Sequence, residues 1–317
     1  MRESPEVPTP VDELIVVEAP PRVPTVVEAE VPTRHDFWRT LHRTRLARAA
    51  AGDPLNLCGA ALVVVVVALA IAGPFMAPYA PTVPDYTSML SGPSAAHPFG
   101  TDFIGDDILS RLLAGARLSV GAAAAVLALS VAIGLVLGAI AGAAGGIIDE
   151  AIMRVTDMSL AFPTLILALA VATTLGPGMG SAIVALGIGF WPVYARLLRG
   201  QVLSIKQRDF VEAGRALGAS PFAVMRRHIL PNALNVITIQ MSIDMGGALL
   251  AVSSLSFIGL GAQPPSPEWG AMIAAGQEYM RSAWWLSLFP GLAVTIAVLG
   301  FNLSGDWLRD ALDPRTD

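Results

Sequence analysis

The chain has 317 residues, of which 54% are hydrophobic and only 14% charged, with a formal net charge of −5. With a mean hydropathy of +0.62, it is too apolar for an ordinary soluble domain and belongs in a bilayer. No nucleic-acid partner is expected.

Two unlike regions share the chain. Residues 1–40 open with a Pro-, Glu- and Val-rich stretch of net negative charge that has no helical period able to bury a face, so they read as a disordered cytoplasmic tail. No basic segment leading into an unbroken apolar run is present there, so the tail does not read as a secretory signal. Residues 41–317 form the membrane domain. A spanning helix needs about 20 apolar residues, and six such segments follow in order: about 56–77, 120–141, 155–174, 180–198, 233–258 and 285–304. The third and fourth are divided by Gly176-Pro177-Gly178-Met179-Gly180, a turn signal inside a long uncharged run. Gly134, Gly138 and Gly142 on the second mark a close helix crossing. The expected fold is therefore an all-α membrane protein of six transmembrane helices. Cys58 reads as a small packing residue, and Trp284 and Trp285 as an interfacial belt at the sixth span.

Orientation follows from the basic residues. Arg34, Arg39, Arg43, Arg45, Arg48, Arg154, Arg196, Arg199, Lys206, Arg208, Arg215, Arg226, Arg227, Arg309 and Arg315 fall on one side of the spans, against Arg111, Arg117 and Arg281 on the other. Cytoplasmic loops retain positive charge, so both termini and residues 199–231 are expected in the cytoplasm, in a bacterial inner membrane.

The loop 199–231 contains Glu212-Ala213-Gly214-Arg215-Ala216-Leu217-Gly218-Ala219-Ser220-Pro221 and ends in Ile229-Leu230-Pro231. Its small residues suit a short helix pressed against another protein, and Gly218 suits the left-handed end of that helix. This segment resembles the EAA loop of ABC-transporter importer permeases. Glu212, Ala213, Gly218, Leu230 and Pro231 are in register, while Gly214 stands for the second Ala and His228 for the usual Ile. The segments His97–Asp102, Asp107–Arg111, Gly115–Arg117, Leu255–Pro265, Glu268–Met272, Gly305–Asp310 and Asp313–Arg315 are similar to those of the C-type permease of dipeptide and oligopeptide importers.

The resemblance implies a type I importer permease fold and no catalytic activity. It implies that Glu212, Ala213, Gly214, Arg215, Leu217, Gly218, Ala219, Ser220 and Pro221 form the surface that couples to a cytoplasmic ATPase. The expected partners are a second permease in a heterodimer, two ATP-binding subunits or one fused pair, an extracytoplasmic solute-binding protein and the lipid bilayer. ATP and Mg are expected on the ATPase subunits, with no cofactor or metal bound by this chain. Di- or oligopeptides are the expected cargo; nickel chelate, glutathione and haem are the alternatives.

Other features are weighed against this reading. Lys206, the only lysine, lies outside any Gly-Lys-Ser/Thr motif, so the chain is not its own P-loop ATPase. Asp244 lies in the fifth span, where a carboxylate either lines a wet path or pairs with a polar group on another helix. His97, Asp102, Asp106 and Asp107 have metal-ligand chemistry, but the same residue types cap turns and helix starts. His228 beside Arg226 and Arg227 admits a pH-switch or anion-site reading against that of an ordinary contact. An ion-coupled secondary transporter, the distant alternative, would show more intramembrane charge. A membrane enzyme would need a convergent set of His, Asp or Cys that this sequence lacks.

Overall fold

A computed structural model describes residues 54–312; the expected tail at 1–40 lies outside them. Among the described residues the regular elements are all helices, and the longest irregular stretch, 77–107, ends in one isolated antiparallel bridge between Thr101 and Asp107. In hydrocarbon every backbone polar group must find its partner within the segment, and helices are how a single chain does this.

Helix α1 spans Pro54–Met76, and α2 spans Ile108–Ala144. Next come α3 (Gly146–Leu160), α4 (Thr164–Leu175) and α5 (Met179–Lys206). A hairpin is made of α6 (Asp209–Ala216) and α7 (Pro221–Val224), and one π-helical turn at Met225–Ile229 joins it to α8 (Leu230–Phe257). Short α9 (Trp269–Gly276) precedes the last helix, α10 (Trp285–Leu312). Five of these segments are long and apolar enough to cross a membrane by themselves.

The expected crossing at 155–174 is not one straight helix. It falls on α3 and α4, which meet at 93°. Pro163 explains the elbow, because proline disfavours helical geometry at the residue before it and offers no N–H to the turn behind. The second crossing also starts twelve residues earlier than expected, since Asp107 caps α2 by accepting from Ser110 N at 2.8 Å.

Helices α2 and α5 make the most extensive contact in the molecule. A Cβ added to Gly134 would lie 2.5 Å from Tyr194 Cβ, one on Gly138 would lie 3.0 Å from Leu198 Cβ, and one on Gly142 would lie 2.7 Å from Val202 Cβ. Glycines stepping by four on one helix therefore receive side chains stepping by four on the other, so rows of the same pitch interlock. Helix α1 packs against α2 and α10, with Gly59 facing Leu303 and Gly73 facing the Leu113 carbonyl. Its outer face, including Val64, Ile71 and Phe75, is exposed for lipid. Cys58, expected to pack inside, also lies on an exposed surface.

At the end of the bundle opposite the hairpin the separated motif segments meet. Asp102 Oδ1 accepts from the N–H groups of Ile104 and Asp106, each at 2.9 Å. Asp107 caps α2 and also holds His97 Nδ1 at 3.0 Å. These residues thus serve as caps and loop ties. Arg111 pairs with Asp106 and reaches the carbonyls of Pro81 and Pro265 at 3.4 and 3.5 Å. Burial lifts the Asp106 carboxyl above the usual carboxylate range, with Arg111 pulling the other way. Glu268 is fully buried; it accepts from Ser119 Oγ at 3.1 Å and caps α9 through Ala271 N at 2.9 Å. Trp285 belongs to this junction instead of an interfacial belt: it is buried and donates to the Thr101 carbonyl at 3.1 Å, while Trp284 stays exposed.

The glycine crossing generates a direct test. Gly138→Ala should cost about 1–3 kcal/mol by overpacking and lower the melting temperature of the detergent-solubilised protein. Gly121→Ala, on the same helix with nothing within 4 Å of the added carbon, should leave it unchanged or slightly raised.

Candidate functional site

Sequence dictates the geometry of the hairpin that follows α5. Asp209 and Glu212 sit in the first turn of α6, where a carboxylate suits the positive end of the helix. The helix ends at Ala216, and Gly218 takes φ +84°, the left-handed conformation expected of it. Ala219 N then donates back to the Gly214 carbonyl at 3.1 Å, closing the turn. Ser220 caps α7, its hydroxyl accepting from Ala223 N at 3.3 Å, and Pro221 occupies the first turn, where its missing N–H costs nothing.

Val211, Val224 and Ile229 are buried and give the hairpin a small core. The tip is the reverse: Leu217 is 89% exposed and Phe222 75% exposed. Glu212, Ala213, Gly218, Ser220 and Pro221 are also exposed, and Gly214 and Ala219 are half-buried. The side chain of Arg215 lies outside the description. The chain thus brings Glu212 to Pro221 together around one turn and presents them away from the helix bundle. Phe222 went unread in the sequence because it lies one residue past the small-residue stretch; a large aromatic directly after a capped turn was the available signal.

Two large apolar side chains held in water by a rigid turn form a surface suited to burial against another protein. His228 lies beside this surface, its ring 6.2 Å from that of Phe210 and its Nε2 4.0 Å from where a Gly214 Cβ would stand. It packs within the hairpin.

Deeper in the bundle, Asp244 of α8 is half-buried and fully paired. Tyr194 Oη of α5 donates to its Oδ2 at 2.8 Å, and Gln240 Nε2 donates to its Oδ1 at 3.0 Å. Tyr194 itself is completely buried, so the carboxylate is anchored from the α5 side while part of it remains accessible. Among the described residues no group of three or more His, Cys, Asp and Glu has the arrangement to hold a metal ion.

Residues 134–317 match the family described as binding-protein-dependent transport system inner membrane component. The chain is 44% identical over 264 residues to the probable D,D-dipeptide transport system permease protein DdpC of Escherichia coli (strain K12), covering 83% of this chain and 89% of that protein. It is 42% identical over 282 residues to the glutathione transport system permease protein GsiD of Escherichia coli O6:K15:H31 (strain 536 / UPEC), covering 89% and 90% respectively. A solved structure of the MetNI methionine ABC transporter, in an inward facing conformation, is similar at 22% identity and a TM-score of 0.47, over 62% of this chain and 95% of that one. With the family's residues running from the glycine crossing through the hairpin to the C-terminus, and with close relatives aligned over most of both chains, this protein belongs to the inner-membrane permease components of binding-protein-dependent ABC importers.

Proposed function

We propose that this permease forms half of a pathway that imports di- or oligopeptides, driven by a separate cytoplasmic ATPase seated on the turn from Glu212 to Pro221. The observation that carries the coupling reading is the exposed Leu217–Phe222 tip on a capped, rigid turn between two membrane helices. The cargo reading draws on the relatives, whose names specify a D,D-dipeptide and glutathione, itself a small peptide. Both termini and the hairpin face the cytoplasm in this reading, supported by the concentration of Arg196, Arg199, Lys206, Arg208, Arg226 and Arg227 at that end of the helices.

The partners follow from the same reading: a second, different permease, two ATP-binding subunits or one fused pair that hold ATP and Mg, and an extracytoplasmic binding protein. The permease itself transmits motion. ATP-driven closure of the ATPase pair moves the docked turns, and the helices rooted in them alternate the pathway between its two openings. Within that pathway Asp244, fixed by Tyr194 and Gln240, offers a carboxylate of set orientation to a cationic group of the cargo.

Purification of the tagged chain from its native membrane in mild detergent tests the assembly. Co-recovery of ATPase and second permease subunits is expected, and recovery of the chain alone, even after crosslinking, would favour the ion-coupled carrier instead. Gly218→Trp should insert normally yet abolish ATP-driven uptake, since it blocks the turn; uptake at the wild-type rate would mean the docking surface lies elsewhere. Asp244→Asn should lower uptake of a dipeptide or of glutathione; equal uptake of both would remove Asp244 from the pathway. Tyr194→Phe strips Asp244 of one buried donor and should lower the stability of the solubilised protein by about 1–3 kcal/mol, read as a drop in melting temperature.

A further inference from the structure

The side chains of α5 that enter the glycine notches of α2 are Tyr194, Leu198 and Val202, at four-residue steps. The next step is Lys206, the only lysine in the chain and the last residue of α5. At that level α2 is ending, and Lys206 meets the carbonyls of its last turn. Its Nζ donates to the carbonyls of Gly142 at 3.0 Å and Ala143 at 3.1 Å. The last carbonyls of a helix have no partner within it and carry its negative end, so a cation there is doubly suited.

Two further ties lie on the same stretch of α5. Arg199 Nη2 donates to Asp149 Oδ2 of α3 at 2.6 Å, and Arg196 pairs with Asp157 of α3. Between α2 and α3 the chain turns on Gly145 and Gly146 alone, with φ of +66° and +55°. Without an outside tie that joint would be the loosest point near the hairpin. Lys206 stands three residues before α6 begins, so it links the root of the hairpin to this joint.

We propose that Lys206 is the positioning residue that makes the cytoplasmic end of α2 move with α5 when the hairpin is displaced. This rests on the coupling reading above and adds the route by which motion passes from the docking turn into the bundle. With Lys206 in place, the last turn of α2 travels with α5, as α3 does through Arg196 and Arg199. Without it, that turn is released from α5 while α3 stays tied, and ATP-driven movement of the hairpin is partly absorbed at the glycine joint between them.

The test uses the assembled transporter with its ATPase, binding protein and second permease, in a Cys58→Ala background. Spin labels at Ala144→Cys on α2 and Ser204→Cys on α5, both exposed positions, report the separation of the two helices by pulsed electron resonance, without ATP and with ATP trapped. With Lys206 present the separation should be the same in both states; with Lys206→Met it should shift or broaden. Lys206→Met should keep ATP hydrolysis and lose solute moved per ATP, measured with a radiolabelled D,D-dipeptide and radiolabelled glutathione. Lys206→Arg, which keeps a cationic donor, should restore both readouts. The proposal is overturned by a separation that changes between nucleotide states while Lys206 is present. Full uptake by Lys206→Met, or Lys206→Arg behaving as Lys206→Met does, would overturn it too. Failure of the coupling reading would appear differently, as purified permease with no ATPase attached.

Discussion

The α2–α5 crossing sets the positions of the polar groups that α5 presents to its neighbours. Gly134, Gly138 and Gly142 remove the side chains that would hold the two helices apart, and Tyr194, Leu198 and Val202 fill the notches. In a bilayer there is little hydrophobic drive for one helix to join another, so association relies on close packing and on hydrogen bonds. This crossing supplies the packing and fixes the register of α5. From that register follow the placement of the Tyr194 hydroxyl against Asp244, of Arg196 and Arg199 against α3, and of Lys206 against the end of α2.

The two ends of the bundle are built on different principles. At the end opposite the hairpin polar groups are buried and tied together: Glu268 between Ser119 and the start of α9, Arg111 among Asp106, Pro81 and Pro265, and Trp285 on the Thr101 carbonyl. Breaking one member of such a network leaves another buried without a partner, which makes this end resist change. At the hairpin end charges are exposed and large apolar side chains stand out from a capped turn. An exposed apolar tip of this kind suits burial against another protein.

Much of this was legible in the sequence, for identifiable reasons. Spanning segments announce themselves by length and apolarity, and Gly218 and Pro221 announce a turn because few other residues suit their backbone conformations. The glycine spacing on α2 foretold a close crossing but not its partner, since spacing on one helix carries no information about the other. The elbow between α3 and α4 stayed hidden because hydropathy counts apolar residues and ignores direction; Pro163 was its only mark. Asp244 presented itself as an isolated charge because its partner Tyr194 lies 50 residues away on another helix. Lys206 was hidden by a sufficient ordinary explanation, since any basic residue on this side satisfies the charge rule for cytoplasmic loops.

The central claim is that the turn at Leu217 is seated on a nucleotide-hydrolysing subunit. It is tested most directly by placing a photo-crosslinking amino acid at position 217 in native membranes, with one at lipid-facing Val136 as the control. The account predicts a covalent adduct from position 217 that contains a P-loop ATPase, with a yield that changes when ATP is trapped, and none from position 136. Adducts to lipid alone from both positions would contradict it.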